Sequence, residues 1–245
     1  MIHRIFCVGN GESRKGLNLK KLQNKGVVYG CNAVYRDFSP DALIAVDRGM
    51  IHEIYRSGYC AHNVCYFSDW TRVPGGEGFH MLLTKGMENI SENKRGKASH
   101  FVMHGAELDG LVREGEGKQK CWISWIHGDD KIQSIKSEYD SMDAGPISVA
   151  IACEEQPEEL YLVGHDLESG KTINNMYKGT KNYFPVDFPQ VFAGNWINNL
   201  SKIFSQNSKT TFYRVNSSKN VVEEWKDNTN VGYITLDELE NLLDN

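Results

Sequence analysis

Residues 5–22 read IFCVGNGESRKGLNLKKL. An apolar run, Ile5 to Val8, stops at Gly9-Asn10-Gly11 and gives way to Ser13 and Arg14. A short apolar run closed by glycine predicts a buried strand followed by a tight turn. Leu17, Leu19 and Leu22 then offer a short helix-like stripe.

The same grammar recurs along the chain. GVVYGCN (26–32), DALIAVD (41–47) and NVCYFSDW (63–70) are short runs rich in strand-forming residues. MIHEIYRSGY (50–59) places Ile51, Ile54 and Tyr55 on one helical face. Alternation returns after Asp143, with a small-residue helix at SVAIACEE (148–155) and a strand at ELYLVGHD (159–166). The longest predicted helix is FPQVFAGNWINNLSKIFSQ (188–206), with Val191, Trp196, Leu200, Ile203 and Phe204 near helical spacing. TTFYRVN (210–216) reads as a last strand, and TLDELENLLDN (235–245) as a helix with Thr235 and Glu238 in a capping box. Strands alternating with helices or turns predict an α/β, Rossmann-like fold with a mostly parallel sheet flanked by helices. A single domain over 1–245 is expected, with a lid-like insertion at about 71–120. Residues 71–97 are charged and glycine-rich, as in a mobile flap, and 105–120 resembles a hairpin tip between HFVMHG and CWISWIHG.

Composition narrows the function. The 245 residues carry a net charge of −5, which lacks the general basic footprint of a nucleic-acid binder, although Lys94, Arg95 and Lys97 form a local basic group. No run approaches the roughly 18 apolar residues of a membrane span. The opening apolar run is too short for a signal peptide, so a cytoplasmic setting is expected. Six cysteines are present. Cys60 and Cys65 flank His62, but no second Cys/His pair with matching spacing follows, and reduced thiols are expected. Self-association as a homo-oligomer is left open.

The candidate site follows from the fold. Ligands of open α/β sheets bind outside the carboxyl ends of the strands. Gly9, Asn10, Gly11, Ser13 and Arg14 leave the first strand there, and glycine amides at a helix start suit phosphate. This is neither the dinucleotide G-x-G-x-x-G nor a P-loop. Asn32, Asp47, His165 and Asp166 end other strands at the same edge. Asp47 could take a ribose hydroxyl, and His165 could act as a general base or as a hydrogen-bonding neighbour. Gly145 and Pro146 open a helix with Ser148 in its first turn, a second candidate anion site or a packing helix. His127, Asp129 and Asp130 could hold Mg²⁺ on a diphosphate, or form a solvated turn.

FCVGNGES with YGCN resembles the N-terminal signature of the bacterial lipooligosaccharide sialyltransferases, glycosyltransferase family 42. That signature is a strand, a Gly-Asn-Gly-Pro-Ser loop and a second strand ending in Cys-Asn. Gly145, Ala150, Ala152 and ELYLVGHD are similar to the family's glycine, small-residue helix and Glu-Ile-Tyr-Leu-x-Gly-x-Asp. The layout also resembles the 6-hydroxymethylpterin pyrophosphokinase-like proteins, with their strand ending in Gly-x-Asp-Leu.

The resemblance implies a glycosyltransferase that moves a sugar from a nucleotide donor, CMP-type, to a glycan or small hydroxyl acceptor, with no tightly bound metal. It implies that Asn10, Ser13 and Asn32 hold the cytidine nucleotide. It puts Asp47 where the family has an Asn near the donor, Gly145 beside a Ser-Gly pair whose Ser is Ala144 here, and Tyr177 near a phosphate. Glu12 replaces the family's Pro. The family's general-base His falls in MYKGTKNYF (176–184), where Thr180 or Lys181 stands instead, so the base would be His165 or Asp47, and the catalytic end would be lined by Asp47, His165 and Tyr177. Two alternatives stand beside this reading. One is a Mg²⁺-dependent phosphoryl or pyrophosphoryl transferase using Asp47 or Asp166. The other is a non-catalytic nucleotide-binding protein. The sequence also resembles proteins carried by marine bacteriophages, which implies a host cytoplasm.

Overall fold

The computed structural model describes residues 3–68, 71–72, 100–103, 110–114, 121–125, 131–167, 170–191 and 193–244. The chain divides into two compact units, Met1–Ile44 with Ser141–Asn245, and Ala45–Asp140. In chain order the strands are β1 (Arg4–Val8), β2 (Val27–Cys31), β3 (Ala42–Ala45), β4 (Val64–Phe67), β5 (Thr71–Arg72), β6 (His100–Met103), β7 (Gly110–Glu114), β8 (Cys121–Trp125), β9 (Ile132–Ser134), β10 (Glu159–Val163), β11 (Thr211–Val215) and β12 (Val231–Ile234). The helices are α1 (Arg48–Arg56), α2 (Ala144–Glu154), α3 (Gly194–Gln206) and α4 (Leu236–Asp244).

The first unit is α/β and Rossmann-like. Its strands run β12-β11-β10-β1-β2-β3 with every pair parallel. Strand β1 is buried on both faces, with Phe6, Cys7 and Val8 fully enclosed. Alternate side chains serve opposite layers. Cys7 Sγ lies 3.6 Å from the Ser148 carbonyl of α2. Phe6 faces the other way and stacks on Tyr161 at 5.2 Å between ring centres, and Tyr161 stacks on Tyr213 at 5.0 Å. That layer continues through Val163 and Val215 to Leu239 and Leu243 of α4. Each aliphatic or Phe side chain buried this way contributes about 1.5–3 kcal/mol. The α2 helix is buried from Ala144 to Cys153, so it is apolar all round rather than amphipathic.

Several expectations are revised. LNLKKL is no α-helix but a 3₁₀ turn over Leu19–Leu22, capped by the Asn18 side chain accepting from the Lys20 N–H. Gly16 at φ +99° and Asn24 at φ +64° bracket too few residues for an α-helix, yet Leu17, Leu19 and Leu22 still reach the core. The helix expected from residue 188 begins at Gly194. Before it, Pro189 bridges Thr172 in extended pairing, and Val191 is exposed. Strand β12 was not foreseen; it is an edge strand, half-buried throughout, so its apolar alternation is weak. The capping box of α4 is present: Glu238 N–H donates to Thr235 Oγ1 at 3.1 Å and Thr235 N–H to Glu238 Oε2 at 2.8 Å.

The second unit holds α1, the parallel pair β4–β9 and an antiparallel sheet ordered β5-β8-β7-β6. The insertion expected at about 71–120 falls in this unit, and most of it lies outside the described residues. So do Lys94, Arg95, Lys97, His127, Asp129 and Asp130. Cys7, Cys31, Cys60, Cys65 and Cys153 are buried and form no disulfide with one another. Among the described residues, no helix is long and apolar enough to cross a membrane.

Candidate functional site

Strand order reverses between β1 and β10. From β1 the chain proceeds through β2 to β3 on one side, and from β10 through β11 to β12 on the other. The carboxyl ends flanking such a reversal form the ligand crevice of open α/β sheets. Here they carry Gly9-Asn10-Gly11 and Gly164-His165-Asp166.

The two loops are zipped together. Gly9 N–H donates to Val163 O and Gly11 N–H to Gly164 O, both at 2.8 Å. Ser13 N–H donates to Asp166 Oδ2 at 2.8 Å, and Glu12 N–H to Asn174 Oδ1 at 2.7 Å. A Cβ on Gly9 would stand 2.5 Å from Gly164 O, and one on Gly11 2.4 Å from the Asp166 carboxylate. The glycines therefore answer a close approach between loops. The phosphate cradle expected of this turn is revised accordingly, because the amides of Gly9, Gly11, Glu12 and Ser13 are spent on protein acceptors.

Arg14 also turns inward. It is 3 % exposed, and its Nε donates to Gly9 O at 2.7 Å. Its Nη2 donates to Tyr177 Oη at 3.0 Å, and Tyr177 in turn donates to Asp37 Oδ2 at 2.5 Å. Burial, with the Asp37 hydrogen bond second, pushes the Tyr177 phenol up to about 12. Arg14 and Tyr177 thus tie the loop at Gly9 to the segment after β2. Glu12 pairs with Lys178 at 3.0 Å. Thr180 Oγ1 donates to Tyr177 O at 2.6 Å and accepts from Arg36 Nη1 at 2.8 Å, a turn-holding role.

His165 sits beneath the crevice, 2 % exposed. Its Nε2 is 3.4 Å from Gly145 O, and its ring is 5.9 Å from that of Trp196. Burial pulls its pKa down to about 4 against the opposing pull of backbone acceptors, so the ring is neutral near pH 7. The Asp47 carbonyl accepts from Ile51 N–H at 2.9 Å and so opens α1; the residue belongs to the second unit.

A cavity of about 240 Å³ lies at the crevice in the first unit, lined by Asn10, Asn32, Gly145, Asp166, Phe184 and Trp196 among others. Neither His165, Arg14 nor Tyr177 lines it, and none of the described lining residues is Lys or Arg. Asn32 ends β2 in the left-handed region, φ +51°, which Asn tolerates better than other side chains. Asn10 Nδ2 donates to Tyr183 Oη at 2.9 Å. Asn10 Oδ1, Asn32 Oδ1, Asp166 Oδ1, Ser13 Oγ and His165 Nδ1 are buried without a hydrogen-bond partner. Such atoms cost about 1–3 kcal/mol each, and their gathering at one edge calls for an explanation.

The sequence places Trp196 only on a helix face and does not mark Phe184, and neither was expected at the site. The Trp196 Nε1–H donates to Asp143 Oδ2 at 2.6 Å, and a Cβ on Gly145 would stand 2.2 Å from the indole. Gly145 is therefore glycine to admit the indole over the start of α2, rather than to expose a helix end to an anion. The Ser148 hydroxyl donates to Gly145 O at 2.7 Å inside the helix. A tryptophan within an amphipathic helix carries no mark that separates this wall from ordinary core. Among the described residues there is no group of three or more His, Cys, Asp or Glu placed to hold a metal. No protein-family model, curated protein or solved structure matches the chain.

Proposed function

We propose that this chain binds a nucleotide through its nucleoside part and transfers a sugar from that nucleotide to a hydroxyl acceptor, as a sialyltransferase-like glycosyltransferase. The observation that carries the proposal is the pair of unpartnered oxygens, Asn10 Oδ1 and Asn32 Oδ1, beside a wall containing Trp196 and Phe184. Acceptor oxygens ask for donors. A base amino group and ribose hydroxyls supply them, and an aromatic wall offers stacking. A phosphate supplies only acceptors, and it fits the part of the ligand that leaves the cavity. Asn32 at positive φ adds the kind of local strain that gathers at functional sites.

A second reading, binding without catalysis, draws support from the burial of His165 and Tyr177 away from the cavity lining. Thermal unfolding of the full chain tests the first step. Cytidine, CMP, UMP, ADP, ATP with Mg²⁺, and inorganic phosphate are compared. A ligand at 100 times its Kd stabilises by about 2.7 kcal/mol. The expected result is a raised Tm with cytidine and CMP, abolished in Asn32→Gly, which removes the amide but keeps the left-handed backbone accessible. A response to phosphate equal to that to CMP, or none to any nucleoside, overturns the proposal. A rise with CMP but no release of CMP from any CMP-sugar favours the second reading.

A further inference from the structure

We infer that a second cavity at this edge is the acceptor site for a neutral, polyhydroxylated molecule, and that Asp166, shared by both cavities, takes the proton from the acceptor hydroxyl. This inference rests on the transferase reading above. The second cavity, about 710 Å³, is lined by Ser13, Asp166, Asn216, Ser217, Thr235 and Asp237 among others. Its residues come from the ends of β1, β10, β11 and β12, of which β11 and β12 do not line the nucleoside cavity.

Its chemistry differs from that of the first cavity. Trp196 and Phe184 wall the smaller cavity, whereas the larger is dominated by hydroxyls, amides and carboxylates. Serine and threonine hydroxyls both donate and accept, which matches sugar hydroxyls. Asp166 and Asp237 line it against one lysine, Lys15, while Glu12, also in the lining, is paired with Lys178. That charge repels an anionic acceptor and accepts O–H donors. Ser13 Oγ is buried without a hydrogen-bond partner. Asn216 accepts from the Ser217 N–H at 2.6 Å through Oδ1, which presents the serine turn at a fixed angle.

Asp166 is the link. It lines both cavities. One carboxylate oxygen, Oδ2, is anchored by the Ser13 N–H at 2.8 Å, while Oδ1 has no partner. The group is thus oriented by one oxygen and keeps the other's lone pairs for a proton. In the transfer, the acceptor O–H proton passes to Oδ1. The acceptor oxygen forms its bond to the anomeric carbon of the donor sugar. The bond from that carbon to the nucleotide phosphate breaks, and its electron pair leaves on the phosphate oxygen. His165 takes no part, since it lines neither cavity.

The test uses the full chain with two binding readouts and one of turnover. Saturation-transfer NMR follows methyl β-galactopyranoside and methyl β-glucuronide, and melting follows CMP. The neutral glycoside is expected to bind and the anionic one to bind at least tenfold more weakly. Ser217→Leu should weaken the neutral glycoside at least tenfold and leave the CMP shift intact. Asp166→Asn keeps an acceptor for Ser13 N–H. It should bind both ligands, yet transfer from a saturating CMP-sugar at least a hundredfold more slowly. Preference for the glucuronide, wild-type glycoside binding by Ser217→Leu, or wild-type transfer by Asp166→Asn each overturns the inference. Glycoside binding without any CMP shift sinks the nucleotide reading and leaves the acceptor cavity standing. A CMP shift without glycoside binding does the reverse.

Discussion

Gly11 and Asp166 approach so closely that no side chain fits between them: a Cβ on Gly11 would lie 2.4 Å from the carboxylate. This contact fixes where the Asp166 carboxylate stands. Gly11→Ala is expected to push the two loops apart and to destabilise the fold by about 1–3 kcal/mol, the usual cost of overpacking. Urea unfolding reads the loss. An unchanged midpoint would mean that the loops are not tightly joined.

Tyr177→Phe separates structure from ligand binding. It removes the acceptor of Arg14 Nη2 and the donor to Asp37 Oδ2 in one step. Leaving those groups without the phenol should cost about 1–3 kcal/mol. The CMP-induced rise in Tm should persist, because Tyr177 does not line the nucleoside cavity. Loss of the CMP response with little change in stability would return Tyr177 to the ligand.

His165 gives the fold a pH signature. Its folded pKa is about 4, below the ordinary 6.5, so between those values the unfolded chain binds a proton that the native chain does not. Stability from this group is complete above pH 6.5 and is lost as pH falls towards 4, by an amount on the order of 3 kcal/mol. His165→Gln removes the titration. The difference in unfolding free energy between wild type and variant should slope over pH 4–6.5 and flatten above it. A difference independent of pH would show that the ring is not held neutral.

Thr235→Ala tests the C-terminal capping box. Losing the hydroxyl that accepts from Glu238 N–H should cost about 1 kcal/mol. Denaturant midpoints read it. No change would mean that α4 is held by Leu239 and Leu243 alone.

Much of this fold was legible in the chain. Ile5 to Val8 and Leu160 to Val163 are continuous apolar runs closed by Gly9 and Gly164, the mark of central parallel strands. Thr235 and Glu238 announced the last helix three residues apart. The edge strand β12 was hidden because half-buried residues blunt the pattern. At the site, the sequence placed Gly9, Asn10, Gly11, Asn32 and Asp166 at one edge, and the structure gathers them there. Direction was not legible. Arg14 follows the same turn as Ser13, yet it points into the protein, and nothing in residue type distinguishes a phosphate ligand from a tether for Gly9 O. Trp196 stayed hidden because its partner, Asp143, is 53 residues away in sequence.

The reversal of strand order between β1 and β10 also bears on how the first unit opens. Its two wings, β2–β3 and β10–β12, meet through the β1–β10 ladder, the zipped loops above it and side-chain bonds such as Tyr177–Asp37 and Arg36–Thr180. A molecule lodged against Asn32 and Asp166 at once would clasp one wing to the other. Amide protons of β11 and β12 should then exchange more slowly when a ligand sits at the far wing, a protection carried by the sheet rather than by contact.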